Sequence, residues 1–238
     1  MRYWLTTLSL APLLWLQGRR VRRVTPILPE PPGDRQGVSG QGRILRLLIL
    51  GDSSAAGVGA AHQSEALSGQ LVADLSQSYR LHWRLAATTG HKVRDVLSRI
   101  ESTATETFDV IVVAVGANDA TSGTGVAKWL DMQAQVVHTL TSKFGARHIL
   151  LSSLPPMHLF PALPQPLRWY IGMRAKRLNR ALTGFAAQHA PLCEMAAADF
   201  PLEPQYMASD GFHPGPLAYQ VWAKHVALLI QNRWQSVP

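Results

Sequence analysis

Residues 47–59 read Leu47-Leu-Ile-Leu-Gly-Asp-Ser-Ser-Ala-Ala-Gly-Val-Gly59 (LLILGDSSAAGVG), four apolar residues running into a Gly-Asp-Ser turn. Three kinds of site end a buried strand this way: a phosphate cradle, a dinucleotide turn, or a nucleophile held at the strand's end. A phosphate loop needs a lysine after its second glycine, and none follows Gly57 or Gly59. A dinucleotide turn needs a third glycine where His62 stands. The nucleophile remains, beside a plainer reading in which Asp52 or Ser53 caps the next helix.

The chain around this turn alternates strand and helix. Ile44–Leu50 has strand length, Glu65–Ser78 has helical apolar spacing, and Arg80–Ala87 alternates. A helical face follows at Val93, Val96, Leu97 and Ile100. Asp109–Val115 (DVIVVAV) is a β-branched run without alternation, as expected of a parallel strand covered on both faces. A helix over Val126–Phe144, a strand over His148–Ser152, a proline-rich loop and a helix over Leu167–Ala190 come next. A weak strand around Leu192–Ala197 and a helix over Pro216–Trp234 close the pattern. Five such units predict an α/β fold, a doubly wound five-stranded parallel sheet between helical layers.

In that architecture functional groups gather beyond the carboxyl ends of the strands. After the first strand stands Gly51-Asp52-Ser53, after the second Thr88-Thr89-Gly90, and after the third Gly116-Ala117-Asn118-Asp119. Asp210-Gly211-Phe212-His213-Pro214 precedes the last helix. A serine hydroxyl needs a base to take its proton as it attacks, and histidine suits that task near neutral pH. In Asp210-x-x-His213 the carboxylate can meet the ring nitrogen facing away from the serine and fix the tautomer. The attacked carbonyl becomes an oxyanion, for which the backbone N–H groups of Ser53 and Gly90 and the side-chain amide of Asn118 are candidate donors. Glycine at 90 is expected to let the backbone approach the substrate closely. Asp119 reads as a helix capper, and Asp52 is too near Ser53 to reach the far side of His213.

These residues resemble the four blocks of the SGNH (GDSL-type) serine hydrolases. Gly51-Asp52-Ser53 is similar to the first block and Gly116-Ala117-Asn118-Asp119 to the third. Asp210-x-x-His213 is similar to the fourth, and Gly90 falls where the second block's glycine belongs. Ser54 departs from the pattern, since a leucine is frequent there. The resemblance covers roughly residues 45–232. It implies a flavodoxin-like α/β/α sandwich and Ser53, His213 and Asp210 as the triad. Ser53, Gly90 and Asn118 would form the oxyanion hole, and neither a metal nor another cofactor is implied. The expected activity is hydrolysis of small-molecule or lipid carboxylic esters, including lysophospholipids. A thioesterase or carbohydrate acetyl-esterase of the same mechanism, or a non-catalytic acyl- or sugar-binding module tethered to a membrane, are the alternatives.

Of the 238 residues, 47 % are hydrophobic, which suits one globular domain. The single cysteine, Cys193, lies in an apolar run and reads as an inert core residue. The net charge of +8 is uneven: residues 1–46 carry eight arginines against Glu30 and Asp34, a net of +6. The 15 basic and 13 acidic residues that follow leave the domain nearly neutral, without the basic stripe that nucleic acid would require.

The expected organisation is therefore a hydrophobic anchor with a basic flank at 1–24, a Pro/Gly-rich tether at 25–43, and the hydrolase domain at 44–238. Tyr3–Leu16 is an uncharged run followed by Arg19-Arg-Val-Arg-Arg23. As a helix it spans about 21 Å, short of the ~30 Å hydrocarbon core. Residues 3–23 are expected to touch a membrane with the domain on the cytoplasmic side; an export signal, or a helix packed on the protein itself, are the alternatives. If the tether is inert, a chain beginning near Arg43 keeps full activity. The helix Leu167–Ala190 carries Arg168, Arg174, Lys176 and Arg177 near the proline-rich loop, an expected acyl pocket or headgroup contact.

Overall fold

A computed structural model of the chain describes residues 2–197 and 203–234, with side chains from residue 9 onward. Met1, residues 198–202 and residues 235–238, which fall within the expected anchor and hydrolase segments, lie outside the described residues.

The apolar runs form the centre of the sheet. Strands β2 (Ile44–Gly51), β3 (Arg80–Ala87), β4 (Val110–Ala114), β5 (His148–Ser152) and β6 (Cys193–Ala196) are parallel, in the order β3-β2-β4-β5-β6. Their lack of alternation has the expected cause: Leu48, Leu50, Ile111 and Val113 enter one buried layer, and Leu47, Ile49, Val110 and Val112 the other. Helices α4 (Val93–Ser102), α6 (Val126–Ser142) and α7 (Leu167–Gln188) cover the first face. On the second face lie α3 (Leu67–Leu75) and α8 (Pro216–Trp234). Truncating any of these buried leucines to alanine would cost about 2–5 kcal/mol. Short helices α2 (Ser53–Ala56) and α5 (Ala117–Ser122) start directly after β2 and β4. The strand order reverses between β2 and β4, so these two helices flank the crevice where such sheets bind ligands.

The sheet has a sixth strand that the sequence did not announce. β1 (Gln36–Ser39) pairs antiparallel with β3, Gln36 opposite Arg84 and Ser39 opposite Leu81. It falls inside 25–43, the stretch expected to be a tether with little structure, and that expectation is corrected. Gln-Gly-Val-Ser has no apolar alternation because its partner is an exposed sheet edge, which it covers. The turn after it needs Gly40, with φ +77°: a Cβ there would stand 2.3 Å from the carbonyl oxygens of Ser76 and Tyr79. Pro31 is buried, and the Gln63 amide donates to the Pro32 carbonyl at 2.9 Å.

Helix α1 (Arg2–Val24) continues through the basic cluster. Leu10, Leu14 and Val21 share one face and pack on the core layer that includes α7. Gln17 accepts the Leu167 amide at 3.1 Å and donates to the Gln165 carbonyl at 2.7 Å. Leu13, Trp15 and Leu16 point outward with Arg19 and Arg20, Arg19 lying over the Trp15 ring. Among the described residues, no helix is long and apolar enough to cross a membrane.

Candidate active site

At its end β2 comes so close to β4 that a Cβ on Gly51 would lie 2.1 Å from the Ala114 carbonyl oxygen. Only glycine lets both strands stay paired while the chain turns out of the sheet. Asp52 then caps α2, its Oδ1 accepting the Ser54 amide at 3.0 Å, so the capping task falls to Asp52 and Ser53 begins the helix. Burial pushes the Asp52 carboxyl up to about 6, against the pull of the Ser54 amide and of His213. Its second oxygen has no hydrogen-bond partner among the described residues.

Ser53 Oγ stands 2.9 Å from His213 Nε2, and His213 Nδ1 stands 2.5 Å from Asp210 Oδ2. Asp210 Oδ1 accepts the amides of Phe212 and His213, both at 2.9 Å, which folds Asp-x-x-His into one tight turn. Burial alone would raise the Asp210 carboxyl. The His213 ring and the two amides outweigh it and hold Asp210 below its ordinary range. An ionised Asp210 fixes the proton on Nδ1 and leaves Nε2 to accept from the serine. The Asp210 side chain is 1 % exposed and that of His213 is 17 %, so the carboxylate is sealed while the ring reaches the crevice. The Phe212 ring, edge-on to Phe160 at 5.1 Å, supports His213 from the side.

Gly90 lies in the loop between β3 and α4, and Asn118 in the first turn of α5. Asn118 Nδ2 donates to the His91 carbonyl at 3.0 Å, spending one of its two amide hydrogens and joining the two loops. Asp119 accepts the Val93 amide at 3.1 Å and the Thr124 hydroxyl at 3.2 Å, a capping role between α4 and α5. Gly90 has φ +85°, yet nothing lies within 4 Å of where its Cβ would stand. Its positive φ favours glycine there, a requirement of backbone conformation, and the space beside it is open on the side a substrate would occupy.

Several supporting residues carried no spacing signal. Tyr219 on α8, fully buried, donates to the Val58 carbonyl at 2.7 Å just beyond α2. Gly59 leaves no room for a Cβ beside the Pro214 carbonyl. Glu30 accepts both the amide and the hydroxyl of Thr89, at 2.7 and 2.8 Å. Conversely, two arginines expected near a substrate are engaged internally. Arg174 donates to the Ala120 and Thr124 carbonyls, and Arg168 to those of Leu163 and Pro161.

A narrow crevice of about 30 Å³ is bounded by Asp52, Ser54, Val115, Leu154, Pro155 and Trp222; it reaches the neighbours of Ser53, while Ser53, Gly90, Asn118, Asp210 and His213 do not line it. A larger groove of about 680 Å³, bounded by Val38, Arg46, His82, Arg84 and Phe108, contains none of the catalytic candidates.

Comparison with known proteins agrees with this geometry. Residues 49–221 match the GDSL-like lipase/acylhydrolase family. Over 198 residues the chain is 29 % identical to a GDSL-like esterase of Mycobacterium tuberculosis, covering 79 % of this chain and 62 % of that protein. The chain thus spans less than two thirds of that relative's length. Among solved structures, a member of the lipolytic G-D-S-L family from Veillonella parvula superposes with a TM-score of 0.63 at 15 % identity, covering 79 % of this chain and 99 % of that one. An esterase from Pseudoalteromonas, solved in a form inhibited by monoethylphosphonate, superposes at 0.59 with 17 % identity, covering 80 % and 99 %. At such identities these two structures establish a shared fold.

Proposed function

Because the chain belongs to the GDSL-like lipase/acylhydrolase family, we propose that it hydrolyses carboxylic esters through an acyl-serine intermediate. The observation that carries this reading is the unbroken line from Ser53 Oγ through the His213 ring to Asp210. Ser53 Oγ attacks the ester carbonyl carbon as His213 Nε2 takes its proton. The carbonyl oxygen acquires the negative charge, for which the N–H groups of Ser53 and Gly90 and the second hydrogen of the Asn118 amide are the proposed donors. Collapse of the tetrahedral species breaks the ester C–O bond, and His213 returns the proton to the leaving alcohol. Water then repeats the sequence on the acyl-serine, releasing the acid and restoring Ser53. Asp210 stays ionised throughout and orients the ring.

The substrate is an ester presented at a lipid surface, a single-chain acyl lipid such as a lysophospholipid. Support comes from α1, whose outward Leu13, Trp15 and Leu16 adjoin Arg19, Arg20, Arg22 and Arg23. That combination suits an interfacial helix on anionic lipid, with the domain on the cytoplasmic side where such lipids face it.

Phenylmethylsulfonyl fluoride should label Ser53, and Ser53→Ala should abolish turnover of an activated short-chain ester. Residual hydrolysis within about tenfold of wild type would sink the assignment, since losing a triad member removes several orders of magnitude. A series of nitrophenyl esters from acetate to palmitate tests the substrate class; turnover confined to acetate defeats the lipid reading and favours an acetyl-esterase. Competition between acyl-CoA and oxygen esters separates a thioesterase from an esterase.

A further inference from the structure

Gly90 is the least supported of the candidate oxyanion donors. It has no side chain, and the direction in which a Cβ would point is open. The aim of its N–H therefore depends on how the neighbouring residues of the loop are held. On the far side of Gly90, the His91 carbonyl is tied to Asn118. Behind it, the Thr88 amide donates to the Gly51 carbonyl at 3.2 Å and Arg99 donates to the Thr88 hydroxyl at 2.8 Å. Thr89, the residue directly before Gly90, is held by Glu30. Glu30 Oε1 accepts its amide and its hydroxyl, while Oε2 pairs with Arg35 at 2.7 Å. The same guanidinium donates to the carbonyl of Ala87, the last residue of β3, and the Arg35 carbonyl accepts the Leu85 amide at 2.7 Å.

We propose that Glu30, braced by Arg35, is a positioning residue that sets the Thr89–Gly90 peptide and so aims the oxyanion donor. The proposal rests on the reading of Gly90 as such a donor. Glu30 touches no reacting atom; it acts through Thr89. A carboxylate that takes two donors from one residue forms charge-assisted bonds, stronger and more directional than neutral ones. Glu30 responds in kind: although burial works the other way, the Thr89 amide and hydroxyl and the Arg35 charge hold it below the ordinary carboxylate range. The clasp adjoins the β1–β3 ladder, which begins at Gln36 and which the Arg35 carbonyl extends by its bond to the Leu85 amide. Glu30 and Arg35 precede residues 49–221, which match the family.

The test compares full-length wild type, Glu30→Ala and Glu30→Gln on a nitrophenyl ester, with Tm measured on each. An oxyanion donor acts mainly in the transition state, so its misplacement lowers kcat more than it raises KM. Glu30→Ala is expected to lose about tenfold in kcat with KM within about twofold. Glu30→Gln keeps an acceptor oxygen for Thr89 and is expected to recover to within about threefold of wild type. A Glu30→Ala enzyme with unchanged kcat overturns the proposal. So does an equal loss in both variants that tracks a fall in Tm, which marks a purely structural contact. If wild type itself releases no alcohol, the hydrolase reading fails and the role of Glu30 with it; an active wild type with an unaffected Glu30→Ala defeats Glu30 alone.

Discussion

Asp52 and Asp210 are both buried carboxylates beside His213, and their surroundings drive them in opposite directions. Asp210 has the ring and two amides to stabilise its charge, and sits low. Asp52 accepts the Ser54 amide on one oxygen, but burial outweighs its favourable contacts and pushes it up to about 6. The consequences for stability differ in sign. Asp210 stabilises the fold above the ordinary carboxylate pKa near 4, and that contribution is lost as the pH falls through its lowered native value. Asp52 behaves oppositely: between about pH 4 and pH 6 the native state keeps a proton that the unfolded chain releases, so stability declines as the pH rises through that window. Asp52→Asn keeps an acceptor for the Ser54 amide and removes the charge, so it is expected to be more stable than wild type at pH 8 and nearly equal at pH 4. Urea denaturation at the two values measures this, and a pH-independent difference contradicts the raised value. Asp210→Asn keeps a side-chain oxygen for the two backbone amides but turns an N–H toward the ring or forces the wrong tautomer. It should lower kcat by at least about a hundredfold with little change in KM, as read from steady-state rates across the pH range.

At the scale of elements, the site depends on how helices hold the ends of strands. Tyr219 on α8 reaches across to the Val58 carbonyl, fixing the chain just after α2 where both residues are buried. Tyr219→Phe leaves that carbonyl unsatisfied. It should cost about 1–3 kcal/mol in denaturant unfolding, with a smaller effect on turnover because the Ser53–His213 contact is kept by other residues. An unchanged midpoint would show that the loop relaxes to find another donor. The central strands were legible because burial on both faces writes itself as an uninterrupted apolar run, and Ser53 and Asn118 because each stands directly after such a run. Asp210-x-x-His213 was legible for a different reason, since a three-residue spacing closes one turn locally. What escaped were the residues whose partners are remote in sequence. Glu30 meets Thr89 across 59 positions and Tyr219 meets Val58 across 161, and neither distance leaves a periodicity. β1 escaped because its strand character comes from the free edge of β3, not from its own residues. Gly90 was identified by placement, while the reason for glycine there became visible only with its backbone angle.

Across the whole molecule the charge is divided, a net of +6 in the first 46 residues against +2 in the rest. The N-terminal 42 residues now separate into two parts with different tasks. Helix α1 offers an outward apolar and arginine-rich face, while residues 30–39 clasp the loop before Gly90 and cover the edge of β3. A chain beginning at Thr25 removes the first and keeps the second; a chain beginning at Arg43 removes both. The full chain is expected to bind vesicles containing anionic phospholipid and to resist release by high salt in part, because salt screens the arginines but leaves apolar burial intact. The Thr25 chain should lose vesicle binding and keep turnover of a water-soluble ester within about threefold, since the α1 hydrogen bonds run to Gln165 and Leu167 and not to a catalytic candidate. The Arg43 chain should lose about tenfold in kcat as well, and unfold at lower denaturant, since the β3 edge and Thr89 lose their partners. Full activity in the Arg43 chain would return residues 25–43 to the status of an inert tether. Undiminished vesicle binding by the Thr25 chain would move the lipid contact away from α1, onto the domain itself.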